Sequence, residues 1–260
     1  LVEITPEDAG LLLNRYLDAG GNYIETAAEY GDGASEEKVG RAVAQRRQDY
    51  LLATKVLARD AAGAAESIDA SLRRLRTDHV DVLFIHSVND ADTAERVLPP
   101  DGALAAAEEA QRAGKVRFIA ISAHGQPFGL LHILPKYRFD AVMVPVNYYD
   151  HFNFPDIQER IFPLAQLHGA AIIAMKALGD GYLWRSAATA LRYAWSLPVS
   201  HVVAGINNRE MLENDLAHAQ TFTPMRHDEV MHLYATAPEY RHYICRQCTH
   251  CQVVAGVHLS

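Results

Sequence analysis

Four side chains in the first third of the chain could together move a proton at a carbonyl oxygen: Glu25, Tyr30, Lys55 and His86. A phenol can hand its proton to that oxygen while hydride reaches the carbon. Its ordinary pKa near 10 is too high for easy transfer at neutral pH. A lysine ammonium within a few ångströms favours the phenolate. A carboxylate keeps that lysine charged and oriented, and an imidazole can donate a hydrogen bond to the substrate oxygen or shuttle the proton. Taken singly, each residue has a plain alternative: packing for Tyr30, solvation for Lys55, a satisfied core histidine for His86. Their places at the ends of successive apolar runs make the set hard to dismiss.

The elements that must position them follow from periodicity. Thr5-Pro6-Glu7-Asp8 reads as a helix N-cap, a proline at the first helical position and acids in the first turn. A helix ending at Gly20-Gly21 follows. Strands are predicted over 22–25, 50–55, 80–86, 115–122, 141–146, 170–175 and 200–204. Helices are predicted over 35–45, 61–76, 102–113, 128–136, 157–168, 187–196, from 209 onward and over 228–237. Strict βα alternation implies a parallel sheet with right-handed crossovers. The rival, an open doubly wound sheet, usually carries G-x-G-x-x-G after its first strand, and this chain has none. The reading is therefore α/β, a (β/α)8 TIM-type barrel. In such barrels the active site lies at the C-terminal strand ends, where Glu25, Tyr30, Lys55 and His86 fall. Seven strands are found where eight are expected, and the chain opens on a helix, so the first strand is expected to be missing from this sequence. Residues 1–225 are read as the barrel and 226–260 as a C-terminal helix and Cys-rich tail.

Composition narrows the class. The chain has 260 residues, 49% hydrophobic and 22% charged, with a net charge of −8. That is globular, and an acidic balance argues against nucleic acid or an anionic membrane as partner. No apolar run reaches the ~18 residues of a membrane span. No signal peptide is visible at Leu1–Pro6. The 3 cysteines fall together near the C-terminus, which is no disulfide framework and fits a reducing compartment, the cytoplasm.

Several ordered motifs resemble the aldo-keto reductase family over nearly the whole chain. Glu25-Thr26-Ala27-Ala28-Glu29-Tyr30-Gly31 is similar to that family's Asp-Thr-Ala-x-x-Tyr-Gly segment, and Ser35-Glu36-Glu37-Lys38-Val39-Gly40 to the helix after it. Ala53-Thr54-Lys55-Val56 resembles the lysine segment and Asp81-Val82-Leu83-Phe84-Ile85-His86 the histidine segment. Further likenesses lie at 114–122, 146–150 and 174–178. The resemblance implies NAD(P)H-dependent reduction of a small aldehyde or ketone. It makes Tyr30 the general acid, Lys55 its activator, His86 the group that orients the carbonyl and Glu25 the stand-in for the lysine-pairing aspartate. It places Ser122, Asn147, Lys176, Gly205, Asn207, Asn208 and Asn214 at the dinucleotide. Gly205-Ile206-Asn207-Asn208 opens onto a helix N-terminus, a setting that suits phosphate.

The chain also departs from the family. Glu25 is one methylene longer than aspartate. Ala123 and Met143 stand where the family often has an asparagine and a glutamine. Met211 stands where NADP-specific members place an arginine, with Arg209 as a substitute, so NADP and NAD both remain open. Non-catalytic dinucleotide binding, and a nicotinamide-free isomerase or lyase, are the rival functions. The run Cys245-Arg246-Gln247-Cys248-Thr249-His250-Cys251 has the C-x₂-C-x₂-C spacing of ferredoxin-type ligation. One branch of the family carries such a segment with a fourth cysteine, replaced here by Gln252-Val253-Val254. A [4Fe–4S] cluster with a non-cysteine fourth ligand, zinc completed by His250 or His258, and a tail that binds nothing are the three readings. The substrate loops, around 88–100 and 179–185, carry no readable code.

Overall fold

The structure is a computed structural model, and it describes residues 2–125 and 127–237. Seven strands form one wholly parallel sheet in sequential order: β1 (Tyr23–Glu25), β2 (Leu51–Val56), β3 (Val80–Ile85), β4 (Val116–Ser122), β5 (Ala141–Pro145), β6 (Ala171–Met175) and β7 (His201–Val202). Eleven α-helices are assigned among the described residues: α1 (Pro6–Asp18), α2 (Ala34–Val43), α3 (Ala61–Leu75), α4 (Ala91–Val97), α5 (Ala103–Arg112), α6 (Phe128–Ile133), α7 (Asp150–Asn153), α8 (Phe162–Leu167), α9 (Ala187–Ser196), α10 (Arg209–Gln220) and α11 (His227–Thr236).

The two-residue period of the strands sorts the core into two layers. On β3, Val82 and Phe84 join Ala53, Ala120, Ala141, Met143, Ile173 and Met175 in a cluster on one face. Leu83 and Ile85 point the other way, into the larger core shared with the helices. The run 80–86 reads as a fully apolar strand of a buried parallel sheet, and β3 is buried at every position, as is β5. The sheet rolls up: the Tyr23 ring of β1 lies 4.6 Å from the His201 ring of β7. Outside them, Arg15 of α1 and Glu213 of α10 pair at 2.7 Å. Among the described residues no backbone ladder joins β1 to β7. This is the seven-stranded parallel barrel sheet expected from the sequence.

Several boundaries differ from expectation for local reasons. The helix expected over 157–168 is a π-turn, Ile157–Ile161, followed by α8. Pro163 has no N–H and its ring crowds the carbonyl four residues back, so a regular helix cannot pass through it. The helix expected over 128–136 stops at Ile133, ahead of Pro135, which has no N–H to continue the helical hydrogen-bond ladder. The loop at 88–100 contains α4, capped by Asp90, whose carboxylate accepts from the Thr93 amide at 2.7 Å. Helix α11 packs on the barrel: Arg192 of α9 pairs with Glu229 at 2.8 Å, and the Tyr193 and Tyr234 hydroxyls meet at 2.8 Å. The cysteines at 245, 248 and 251 lie outside the described residues.

Candidate active site

The site is built on the C-terminal ends of the strands. Glu25 is the last residue of β1, Lys55 the fifth of β2, and His86 follows β3 directly. The register sets Glu25 opposite Ala53 and Lys55 opposite Phe84, which turns both charged side chains to the face of the sheet that carries Ala53, Val82 and Phe84. Tyr30 comes from the loop between β1 and α2. Thr26 donates its hydroxyl to Ser35 Oγ at 2.8 Å, tying the two ends of that loop together. Beneath it, buried Glu36 takes the Thr54 hydroxyl at 2.5 Å and the Arg74 guanidinium at 2.6 Å, locking α2 against β2 and α3. Gly33 closes the loop at φ 89, and a Cβ there would meet the Arg74 side chain at 2.5 Å.

These elements bring the four predicted residues together. Lys55 Nζ donates to Glu25 Oε1 at 2.5 Å, to the Thr26 carbonyl at 3.0 Å and to Tyr30 Oη at 3.2 Å. Burial alone would pull the Lys55 pKa down. The Glu25 charge and the Tyr30 oxygen outweigh it and hold the ammonium above its ordinary range. The extra methylene of Glu25 therefore does not break the pair. The Tyr30 and His86 rings lie edge to face at 6.2 Å. Lys55 is 2% exposed, whereas Tyr30 is 37% exposed, so the tyrosine is the member of the chain of contacts that solvent and substrate can reach.

Two neighbours were not foreseen. Glu29 Oε2 lies 3.2 Å from His86 Nδ1. His124, two residues beyond β4, has its ring 6.0 Å from that of His86, and its amide is held by Asn89 Oδ1 at 2.7 Å. Burial first, then the charges of Lys176, His86 and Lys55, push the His124 imidazole down to about 4. His124 follows Ser122 by two and so shares its parity, but it lies beyond β4 and the Asn89 contact to its amide sets where it stands. Glu29 has no such signal, because a loop fixes its direction.

The residues expected at a dinucleotide fall in two groups. Ser122 is fully buried at the end of β4. Its Oγ accepts from the Ser87 amide at 3.1 Å, and its own O–H has no acceptor among the described residues. Asn147 follows β5, but its amide is engaged within the protein. It donates to Asp150 at 2.5 Å and to the Lys176 carbonyl at 3.0 Å, and accepts from the amides of Tyr149 and Asp150. Lys176, after β6 at φ 56, pairs with Asp180 at 3.0 Å. Met143 is buried in the barrel interior. After β7, Gly205, Asn207, Asn208 and Asn214 are exposed. Asn208 caps α10 by accepting from the Met211 amide at 2.8 Å. The Arg209 and Glu210 amides remain without an acceptor among the described residues, as helix first turns do. Arg209 is 81% exposed and only 3.6 Å from Glu213, which Arg15 already holds. Among the described residues no cluster of His, Cys, Asp and Glu has the geometry of a metal site. None of the described helices is long and apolar enough to cross a membrane.

A parallel barrel with a buried Lys–Glu pair beneath an accessible tyrosine defines a class of proton-transfer site, and comparison with known proteins identifies it further. The family model described as the Aldo/keto reductase family matches residues 2–190, and the chain belongs to that family. It is similar to norsolorinic acid reductase stcV of Emericella nidulans, 32% identical over 200 residues, covering 69% of this chain and 50% of the relative. The chain thus spans about half the length of the relatives it matches. Among solved structures it resembles the holo form of aldo-keto reductase AKR11C1 from Bacillus halodurans, 25% identical, with a TM-score of 0.77 over 91% of each chain. It also shares the fold of an aldo-keto reductase from Klebsiella pneumoniae in complex with NADPH, 21% identical, with a TM-score of 0.75 over 90% of this chain and 86% of that one.

Proposed function

We propose that this chain is an NAD(P)H-dependent oxidoreductase that reduces a small aldehyde or ketone, with Tyr30 as the general acid. The observation that carries the reading is the sequestered ammonium of Lys55, bonded at once to Glu25 and to the oxygen of an accessible tyrosine. A reduced nicotinamide, when bound, supplies the hydride. Tyr30 Oη gives its proton to the carbonyl oxygen. The negative charge left on Oη is met at 3.2 Å by the ammonium of buried Lys55. Glu25 keeps Lys55 charged and aimed. His86, on the other side of Tyr30, orients the carbonyl.

The residues present fit a dinucleotide at both ends. The loop 203–208, exposed at Gly205, Asn207 and Asn208, leads to the unpaired amides at the start of α10, and a Cβ at Gly205 would meet nothing within 4 Å. Asn207, Asn208 and Asn214 stand around that opening. The buried Ser122 hydroxyl has a proton to offer the carboxamide, and Lys176 lies between the two ends. Arg209, in place of Met211, is the candidate for a 2′-phosphate. That the Klebsiella pneumoniae relative binds NADPH supports NADP over NAD.

The engaged Asn147 amide and buried Met143 favour a second reading, a dinucleotide-binding member of the family with weak or no turnover. One experiment separates the two. Fluorescence titration with NADPH and NADH is followed by assay of wild type and Tyr30→Phe against a panel of aldehydes and ketones. Coenzyme binding in both proteins, with reduction in the wild type alone, supports the enzyme. Binding without reduction in either supports the second reading. Equal reduction by both proteins sinks the role of Tyr30. For Cys245, Cys248 and Cys251 the proposal is a three-thiolate site for a [4Fe–4S] cluster or zinc, apart from the chemistry at Tyr30. Elemental analysis of anaerobically purified protein checks it, and finding neither iron nor zinc overturns it.

A further inference from the structure

A carboxylate accepts hydrogen bonds and donates none, so a ring nitrogen 3.2 Å from one must be the donor. Glu29 Oε2 stands in that relation to His86 Nδ1. Burial works against the charge of Glu29. The hydrogen bond from His86, with the amides of Glu29 and Leu57, outweighs it, and the carboxyl sits below its ordinary value. It is therefore ionised through the neutral range. The other groups that face His86 give no competing acceptor to Nδ1 among the described residues. Tyr30 meets it edge to face, His124 lies ring to ring beyond 5 Å, and Lys55 of β2 is occupied by Glu25, Thr26 and Tyr30.

We propose that Glu29 is a positioning residue that fixes the proton of His86 on Nδ1, so that the protonation state of His86 decides whether Nε2 offers a hydrogen bond or accepts one. A neutral imidazole has one N–H. With that N–H committed to Glu29, Nε2 is a bare acceptor, and it gains a proton only when the ring becomes cationic. The cationic ring offers Nε2–H to a carbonyl oxygen, which can only accept. The neutral ring accepts from an alcohol hydroxyl, which can donate. The cationic ring then suits a carbonyl oxygen and the neutral ring a hydroxyl. The consequence for substrate binding rests on the oxidoreductase reading above. The tautomer itself does not.

The test has two arms. In the first, the full chain carrying ¹⁵N-histidine is examined at alkaline pH by long-range ¹H–¹⁵N correlation, with His86→Asn to assign the signal. The expected pattern is Nδ1–H in the wild type and Nε2–H, the form free imidazole side chains prefer, in Glu29→Leu. Nε2–H in the wild type, or the same pattern in both proteins, overturns the proposal. If Glu29→Leu does not fold, the wild-type pattern alone decides. In the second arm, kcat/KM for carbonyl reduction is followed against pH. The wild type is expected to lose about tenfold per pH unit on its alkaline limb, the slope of one ionising group. Glu29→Leu is expected to hold its rate there, because neutral His86 can again donate. Superimposable profiles overturn the coupling. A chain that reduces nothing refutes the oxidoreductase reading, and the first arm still decides the role of Glu29.

Discussion

Replacing Glu25 with glutamine tests the centre of the site, because it removes a charge while preserving size and one acceptor. Lys55 is 2% exposed and Glu25 13% by side chain, and Nζ lies 2.5 Å from Oε1. Breaking one side of a buried pair costs about 3–5 kcal/mol, since the remaining charge is left uncompensated. For a chain of this size that lowers the melting temperature by about 6–20 °C. The pH dependence carries the sharper test. In the wild type Lys55 is raised, so the pair stabilises fully below the unfolded lysine value near 10.4 and fades only as pH climbs through the higher folded value. In Glu25→Gln, burial, the largest influence on Lys55, is opposed by Tyr30 alone, and the lysine is expected to fall below its unfolded value. The penalty is then complete at low and neutral pH and shrinks as pH rises towards about 10.4, where the unfolded lysine also loses its proton. Thermal melts of both proteins between neutral and alkaline pH should converge. Without the Glu25 carboxylate to hold and aim it, Lys55 meets the charge developing on Tyr30 less well even while protonated, and kcat/KM for reduction should fall about a hundredfold, the cost of a misplacement of about 1 Å. A variant with wild-type stability and rate at neutral pH, or a stability gap that does not change with pH, would refute the argument.

Three further outcomes follow from single contacts. Gly40 of α2 faces backbone: an added Cβ would meet the Arg74 carbonyl oxygen at 2.3 Å, so Gly40→Ala should push α2 off α3 and cost about 1–3 kcal/mol in chemical denaturation. His124 is depressed to about 4, so the stability it confers is present above the unfolded value near 6.5 and lost as pH falls from there towards 4. His124→Gln should flatten that part of the acid-denaturation curve by about 3 kcal/mol, and an unchanged curve would contradict the assignment. Arg209→Ala should weaken NADPH about tenfold, the loss of one exposed charge-assisted contact, and leave NADH alone, as judged by fluorescence titration. Equal weakening of both coenzymes would place Arg209 at the shared diphosphate instead.

What could be read from the sequence was what depends on period and strand ends. The alternation of apolar runs put Lys55 and His86 at the ends of β2 and β3, and their common face follows from strand parity. The barrel needed only the order of elements. Loops escaped because their paths are fixed by distant partners: Thr26 with Ser35 sets where Tyr30 and Glu29 stand, and Asn89 with the His124 amide sets where that histidine stands. Neither pairing leaves a trace in local composition.

Asn147 shows a different limit. Its residue type suits a carboxamide contact, and its place after β5 is right for one. Yet its Oδ1 takes the amides of Tyr149 and Asp150, capping the turn that opens α7, while its NH₂ is divided between Asp150 and the Lys176 carbonyl. An asparagine two and three residues ahead of the amides it caps is the ordinary signature of a helix start, and the Asn147-Tyr148-Tyr149-Asp150 run carries it. A polar side chain at an active-site mouth thus has two claimants, the ligand and its own backbone, and the backbone has the advantage of proximity. That competition is also why the proposed function rests on Tyr30 rather than on the dinucleotide contacts: Lys55 and Glu25 are buried together and satisfy each other, which leaves Tyr30 as the accessible end of the chain of hydrogen bonds.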